Sequence, residues 1–135
     1  MYEQLKELYA TDQEFLDKYH ELSPADLESC VKRTVDDLTF GKIETVWMYD
    51  NEILIGYYGL DRIYNTLAGF FIKPEHRNRV NINNMLVGVY SNLGHKTIYT
   101  GVCPSNDKAI SFLSKIGSIA GKTDTHVLFK LNRRD

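Results

Sequence analysis

The residues that staple and punctuate a chain are scarce here: two cysteines, Cys30 and Cys103, and three prolines in 135 residues. The cysteines lie far apart, with no CxxC pair and no Cys/His cluster beside them, which predicts free thiols rather than a disulfide frame or a zinc site. Long apolar runs are also missing. No stretch reaches the roughly 18 apolar residues of a membrane span, and the opening MYEQLKELYATDQEF lacks the basic start and apolar run of a signal peptide. A cytoplasmic chain without a membrane partner is expected. The four histidines, His20, His76, His95 and His126, share no spacing that would put two on one helix face, so no metal site is expected. With 43% hydrophobic and 25% charged residues, the composition is that of an ordinary globular protein. The length fits one domain over residues 1–135.

Charge is distributed unevenly. Residues 1–40 hold ten acids against four bases, and residues 41–135 hold eight acids against twelve bases. The plain reading is a set of solvated helix faces; the sharper one is an anion held by the basic part. The acidic first third and a pI near 6.1 argue against a nucleic-acid partner through Arg77, Arg79 and Lys96.

Residues 1–40 read as helical throughout. Leu5, Leu8 and Tyr9, then Phe15, Leu16 and Tyr19, form short apolar faces, divided by a capping box at Thr11-x-x-Glu14. Ser23-Pro24-Ala25-Asp26 predicts a helix start with Ser23 as cap, followed by Leu27, Val31, Val35 and Leu38 at helical spacing. After Gly41 the period changes. Residues 43–49, 53–60 and 66–73 are rich in β-branched and aromatic side chains and read as three antiparallel strands. A helix through Ile82, Met85, Leu86, Val89 and Leu93 ends at Gly94; a strand over residues 97–103, a helix closed by Gly117 and a hairpin over 118–122 and 126–131 follow. The order predicts an α+β fold, with a mixed, mostly antiparallel sheet and helices on both faces.

The strand over residues 66–72 runs into Lys73-Pro74-Glu75-His76-Arg77-Asn78-Arg79-Val80 and then a helix. A helix amino terminus presents unpaired N–H groups and the positive end of its dipole, and two arginines beside it make an anion site physically sensible. Residues 72–79 resemble the end of the fourth strand and the start of the acyl-CoA loop in GNAT acetyltransferases. Residues 106–117, Asn-Asp-Lys-Ala-Ile-Ser-Phe-Leu-Ser-Lys-Ile-Gly, are similar to the family's later helix. The resemblance covers about residues 43–131 and places residues 66–93 where such folds hold acyl-CoA, with residues 1–40 on the acceptor side. It implies that Phe71 and Ile72 face pantetheine, that Arg77, Asn78, Arg79, Val80, Asn81 and Ile82 form the diphosphate loop, and that Asn106 contacts the cofactor arm. Acetyl-CoA or another acyl-CoA would be the cosubstrate, without metal.

Four departures stand beside the matches. Val80 and Ile82 occupy the loop's two small positions, where glycine would let backbone approach a phosphate. Leu113 stands where many members carry a tyrosine that protonates the leaving thiolate; Tyr57, Tyr58, Tyr64, Tyr90 and Tyr99 offer other hydroxyls without singling one out. Residues 66–72 hold no carboxylate, which leaves Glu44, Asp61 and Glu75 as bases. The family's first strand is missing. Cys103 reads as a buried structural cysteine, and as a nucleophile it would need a base, with His95 nearest in sequence.

The resemblance thus implies an N-acyltransferase acting on a small-molecule or protein amine. The alternative is a GNAT-like protein without catalysis. Asn106, Ile110, Phe112, Leu113, Ile116 and Gly117 resemble GNAT-like proteins of short-tailed phages, which would make phage structural proteins its partners and the host cytoplasm or virion its place.

Overall fold

The computed structural model describes residues 1–94 and 97–132. In chain order the elements are α1 (Tyr2–Tyr9), one π-helical turn (Phe15–Tyr19), α2 (Leu27–Phe40), β1 (Glu44–Asp50), β2 (Ile53–Asp61), β3 (Thr66–Ile72), α3 (Arg79–Leu93), β4 (Ile98–Val102), α4 (Asp107–Ile116), β5 (Gly117–Lys122) and β6 (Val127–Leu131). The six strands form one sheet in the order β1-β2-β3-β4-β6-β5. Only β3 and β4 run parallel; every other neighbouring pair is antiparallel. The expected α+β fold, with a mixed sheet covered on both faces and no strand before α1 among the described residues, is the fold observed.

Two apolar layers follow from strand alternation. Along β2 every residue from Leu54 to Leu60 is buried, and its side chains alternate between faces. Tyr57 joins Leu5, Leu8, Tyr9, Leu16, Val31 and Leu38 under the N-terminal helices. Tyr58 and Leu60 join Met85, Val89, Leu113 and Phe129 under α3 and α4.

The sheet opens in the middle. β3 pairs with β4 only at Thr66 with Tyr99 and at Leu67 with Thr100. Beyond that point the β2–β3 register shifts, and Gly69 takes φ 106°, a backbone conformation that side-chain-bearing residues rarely adopt. The Thr100 hydroxyl donates to the Leu67 carbonyl at 2.8 Å, at the apex of the opening.

Several local expectations are corrected. Residues 20–26 are not helical. Asp26, not Ser23, caps α2, because its carboxylate accepts both the Ser29 N–H at 2.7 Å and the Ser29 hydroxyl at 3.0 Å; the Ser23 hydroxyl donates instead to the Asp17 carbonyl. The Thr11 capping box does not form either. Asp12 accepts the Phe15 N–H at 3.0 Å, while the Thr11 hydroxyl turns back to the Leu8 carbonyl. Gly117 does close α4, in extended rather than helical backbone. It is the extended first residue of β5, where a Cβ would overlap the Lys130 carbonyl. Gly94 does end α3, at φ 71°.

Candidate functional site

Where β3 and β4 diverge, two cavities meet. The first, about 170 Å³, lies between Phe70, Phe71 and Ile72 of β3 and the starts of α3 and α4, with Asp12, Phe15 and Tyr19 closing one side. The second, about 200 Å³, is walled by the N-terminal helical segments and the ends of β3 and β4, through Tyr9, Thr34, Asp37, Tyr57, Gly69 and Cys103. Phe15, Tyr19, Phe70, Asn106 and Ala109 line both. The two are therefore neighbouring halves of one cleft at the splay.

The cleft exposes strand edge. The Lys73 N–H donates to the Ile55 carbonyl at 2.8 Å, so alternation turns the peptide groups of Lys73 and Phe71 toward β2 and those of Ile72 and Phe70 toward the splay. One of these acceptors is taken. Arg77 Nε donates to the Ile72 carbonyl at 2.7 Å, the same guanidinium donates to Asp12 Oδ2 at 2.7 Å, and it lies 5.2 Å from the centre of the Phe71 ring.

Phe71, Ile72, Arg77, Ile82 and Asn106 of the expected cofactor residues reach the first cavity. The Phe71 ring is buried under the N-terminal segments, edge-on to Tyr9 at 5.0 Å and to Phe15 at 5.3 Å. Asn106 caps α4 by accepting the Ala109 N–H at 3.0 Å. The other four expected residues sit around the start of α3, outside the cavity lining. Asn78 caps the helix by accepting the Asn81 N–H at 3.0 Å, and buried Asn81 donates its side-chain amide to the His76 carbonyl at 2.9 Å. Arg79 and Val80 are exposed on the first turn. The preceding loop folds on itself: the amides of His76, Arg77 and Asn78 are bonded to the carbonyls of Lys73, Pro74 and His76. The amides left unpaired by helix geometry are those of Arg79 and Val80.

Phe70, Phe112, Phe15, Tyr19 and Asp12 were not anticipated. Period-two alternation from Ile72 could have found Phe70, since both present peptide groups to the same edge. Phe112 packs edge-on to Phe70 at 6.1 Å from α4. The N-terminal residues carried no comparable signal, because their place at the cleft depends on how the first forty residues cross the sheet.

Charge at the mouth is paired. Lys108 Nζ sits 2.7 Å from Glu14 Oε2, and the Tyr19 hydroxyl donates to Glu14 Oε1 at 2.9 Å. These bonds hold the Glu14 carboxyl below its usual range and push Lys108 and Tyr19 up. Deeper in the second cavity the Tyr9 and Tyr57 hydroxyls are 2.6 Å apart, and burial pushes both phenols up. His20 lines the same cavity. Its Nδ1 accepts the Leu22 N–H at 3.1 Å, and burial pulls its pKa down. Cys103 is half-buried at this cavity rather than buried, with Sγ 3.1 Å from the Ser105 hydroxyl; His95, the base nearest to it in sequence, falls outside the described residues, as does Lys96.

The structure selects among the acid and base candidates. Tyr57 lines a cavity; Tyr58 reaches under α3 to Gly88, Tyr64 is exposed, and Tyr90 donates to the Asn132 carbonyl at 2.7 Å. Glu44 pairs with Arg62 at 2.8 Å, and Asp61 accepts the Ile63 and Tyr64 N–H groups. Neither they nor Glu75 line the cleft. Leu113 is fully buried in the core. Among the described residues no three His, Cys, Asp or Glu side chains are grouped to hold a metal ion, and no helix is long and apolar enough to cross a membrane.

No protein-family model and no curated protein matches the chain in sequence. Solved structures match it closely in shape. The PaiA N-acetyltransferase of Thermoplasma acidophilum, solved with coenzyme A, superposes with a TM-score of 0.68 at 16% identity, over 98% of this chain and 92% of that one. An acetyltransferase of Salmonella typhimurium that modifies the N-terminal serine of ribosomal protein L7/L12 gives 0.67 at 11% identity, over 99% and 90%. A GCN5-related N-acetyltransferase of Rhodopseudomonas palustris gives 0.61 at 10% identity, over 96% and 86%. At these identities the likeness is one of fold.

Proposed function

From a chain that carries the fold of the GCN5-related N-acetyltransferases, we propose an N-acyltransferase that moves an acyl group from acyl-CoA to an amine. The observation that carries this reading is the splay of β3 from β4, which leaves the Phe70 peptide and the Ile72 N–H on an open strand edge inside a two-sided cleft, the Ile72 carbonyl being held by Arg77. Pantetheine is an extended chain with two amide groups, and a free strand edge is the surface that pairs with such a chain. In this assignment Phe70, Phe71 and Ile72 hold the pantetheine arm, and Asn106 contacts it from α4. Arg77, Asn78, Arg79, Val80, Asn81 and Ile82 shape the diphosphate end. Within that segment the Arg79 and Val80 amides and the exposed Arg79 guanidinium meet the phosphates. Arg77 serves as a wall, since its guanidinium already binds Asp12 and Ile72.

The acceptor amine enters the second half of the cleft, under the acidic first forty residues. Catalysis rests on bringing a neutral amine and the thioester together in the correct geometry. Its test is thermal. Acetyl-CoA should raise Tm in proportion to the logarithm of its concentration above Kd, as for any ligand that binds only the folded state. No shift at millimolar acetyl-CoA overturns the proposal.

One observation favours a second reading, that of a non-catalytic assembly protein, phage-type or otherwise: Leu113, which the resemblance matches to the family's proton donor, is a buried leucine, and Glu44 and Asp61 are engaged outside the cleft lining. Co-purification with assembly intermediates, together with no response to acetyl-CoA, would establish it.

A further inference from the structure

The second cavity contains a chain of three hydroxyls, those of buried Tyr9 and Tyr57 and half-buried Thr34, whose direction can be deduced. The Thr34 hydroxyl donates to the Cys30 carbonyl at 3.0 Å, which uses its one proton. At the 3.3 Å contact with Tyr9, Thr34 is therefore the acceptor, and Tyr9 gives its proton there. At the 2.6 Å contact between the two phenols, Tyr57 must then be the donor. The Tyr57 oxygen heads the chain with its proton directed away and its lone pairs without a donor among the described residues. Each donated bond along such a chain makes the leading oxygen a better acceptor.

That oxygen stands at the splay. Beyond its own chain neighbours, a Cβ built on Gly69, the positive-φ residue of the β3 irregularity, would meet one heavy atom of the described residues within 4 Å, the Tyr57 hydroxyl at 3.7 Å. Gly69 thus leaves the space above the phenol open, one residue from the Phe70 edge peptide. Tyr9, Thr34 and Tyr57 all line this half of the cleft.

We propose that Tyr57 is the acceptor-orienting residue: its phenol oxygen receives an N–H of the incoming neutral amine and aims the nitrogen lone pair at the thioester carbon. This rests on the acyltransfer reading above. In the transfer, the C–N bond forms and the C–S bond breaks. The amine gives up one proton and the departing thiolate gains one through solvent, and Tyr57 keeps its own throughout. The hydroxyl chain ends on a backbone carbonyl, so it orients and does not conduct.

The probe is trifluoroethylamine, a primary amine that is neutral near neutral pH. Binding is followed by its fluorine NMR linewidth and by the emission of Trp47, the chain's single tryptophan, whose ring lies 5.8 Å from that of Tyr57. Tyr57→Phe should weaken binding about five-fold, the loss expected for one hydrogen bond. Thr34→Val should instead tighten it, because the Tyr9 proton then turns to the Tyr57 oxygen and the freed Tyr57 proton donates to the amine nitrogen, tying up the lone pair that wild type leaves free to react. Equal binding by wild type and either variant, or no binding by wild type, overturns the proposal. The acetyl-CoA melting shift, measured on the same samples, separates the two claims. If amine binding follows Tyr57 and Thr34 while acetyl-CoA gives no shift, the amine site stands and the acyltransferase reading falls.

Discussion

Replacing Arg77 by methionine should destabilise the protein by about 3 kcal/mol, although the residue stands in a loop. Methionine keeps an unbranched apolar side chain at the position and removes the guanidinium, which lies 5.2 Å from the centre of the Phe71 ring. Lost with it are two hydrogen bonds from a charged donor, to Asp12 and to the Ile72 carbonyl, each worth about 1.5–3 kcal/mol. The Asp12 side chain, only 8% exposed, is left with the Phe15 N–H as its remaining partner. Breaking a fully buried pair costs about 3–5 kcal/mol. The Arg77 side chain is 30% exposed, so water recovers part of that cost and the lower end applies. For a domain of this size about 3 kcal/mol corresponds to a Tm drop of roughly 10 °C. Urea denaturation of wild type, Arg77→Met, Asp12→Asn and the double variant should show a coupling of about 2 kcal/mol between the two sites. Arg79→Met is the internal control: exposed and without an ion pair among the described residues, it should change stability by less than about 0.5 kcal/mol. A loss at Arg77 no larger than at Arg79, or a coupling near zero, would refute the view that Arg77 rivets the N-terminal segment to the β3 edge.

Gly56→Ala should cost about 3 kcal/mol, because the new Cβ would overlap the Phe71 carbonyl and force β2 from β3; a urea midpoint close to that of wild type would contradict it. His20 has a folded pKa below its unfolded value, so the unfolded chain binds more protons as pH falls below the ordinary histidine range. Stability should therefore decline on acidification through that window, more steeply in wild type than in His20→Gln, with Glu21, Arg33 and Asp37 as the neighbouring charges retained in both; parallel pH–stability curves would exclude this. Burial pushes the Cys30 thiol up to about 12, so a thiol-specific reagent at neutral pH should label native protein at Cys103 and reach Cys30 only on unfolding. Peptide mapping of the labelled native protein checks it, and early modification of Cys30 counts against it.

Much of the architecture was legible because it is written in short-range periodicity. The runs of β-branched and aromatic residues at 53–60 and 66–73, the helical spacing from Ile82 to Leu93 and the Gly94 stop appear within a residue of where the pattern puts them. Caps were less legible. Ser23 and Asp26, or Thr11 and Asp12, are equally good capping types, and which one serves depends on where the first turn begins. Gly117 illustrates the same limit: the residue was conspicuous, but its reason is the nearness of Lys130, thirteen residues along the chain on the neighbouring strand.

The sequence by itself determined the order of elements, the mixed sheet and the position of the β3-to-α3 turn, since each depends on residues within a few places of one another. Tertiary structure decided the site. Gly69 and the brief β3–β4 pairing open the cleft, Asp12 reaches across 65 residues to engage Arg77, and Tyr9 meets Tyr57 across 48. Those contacts join an N-terminal segment with no motif of its own to the centre of a sheet. Spacing along the chain carries no information about such pairs, because packing, not sequence distance, sets which groups share the low-dielectric interior where hydrogen bonds and charges count most.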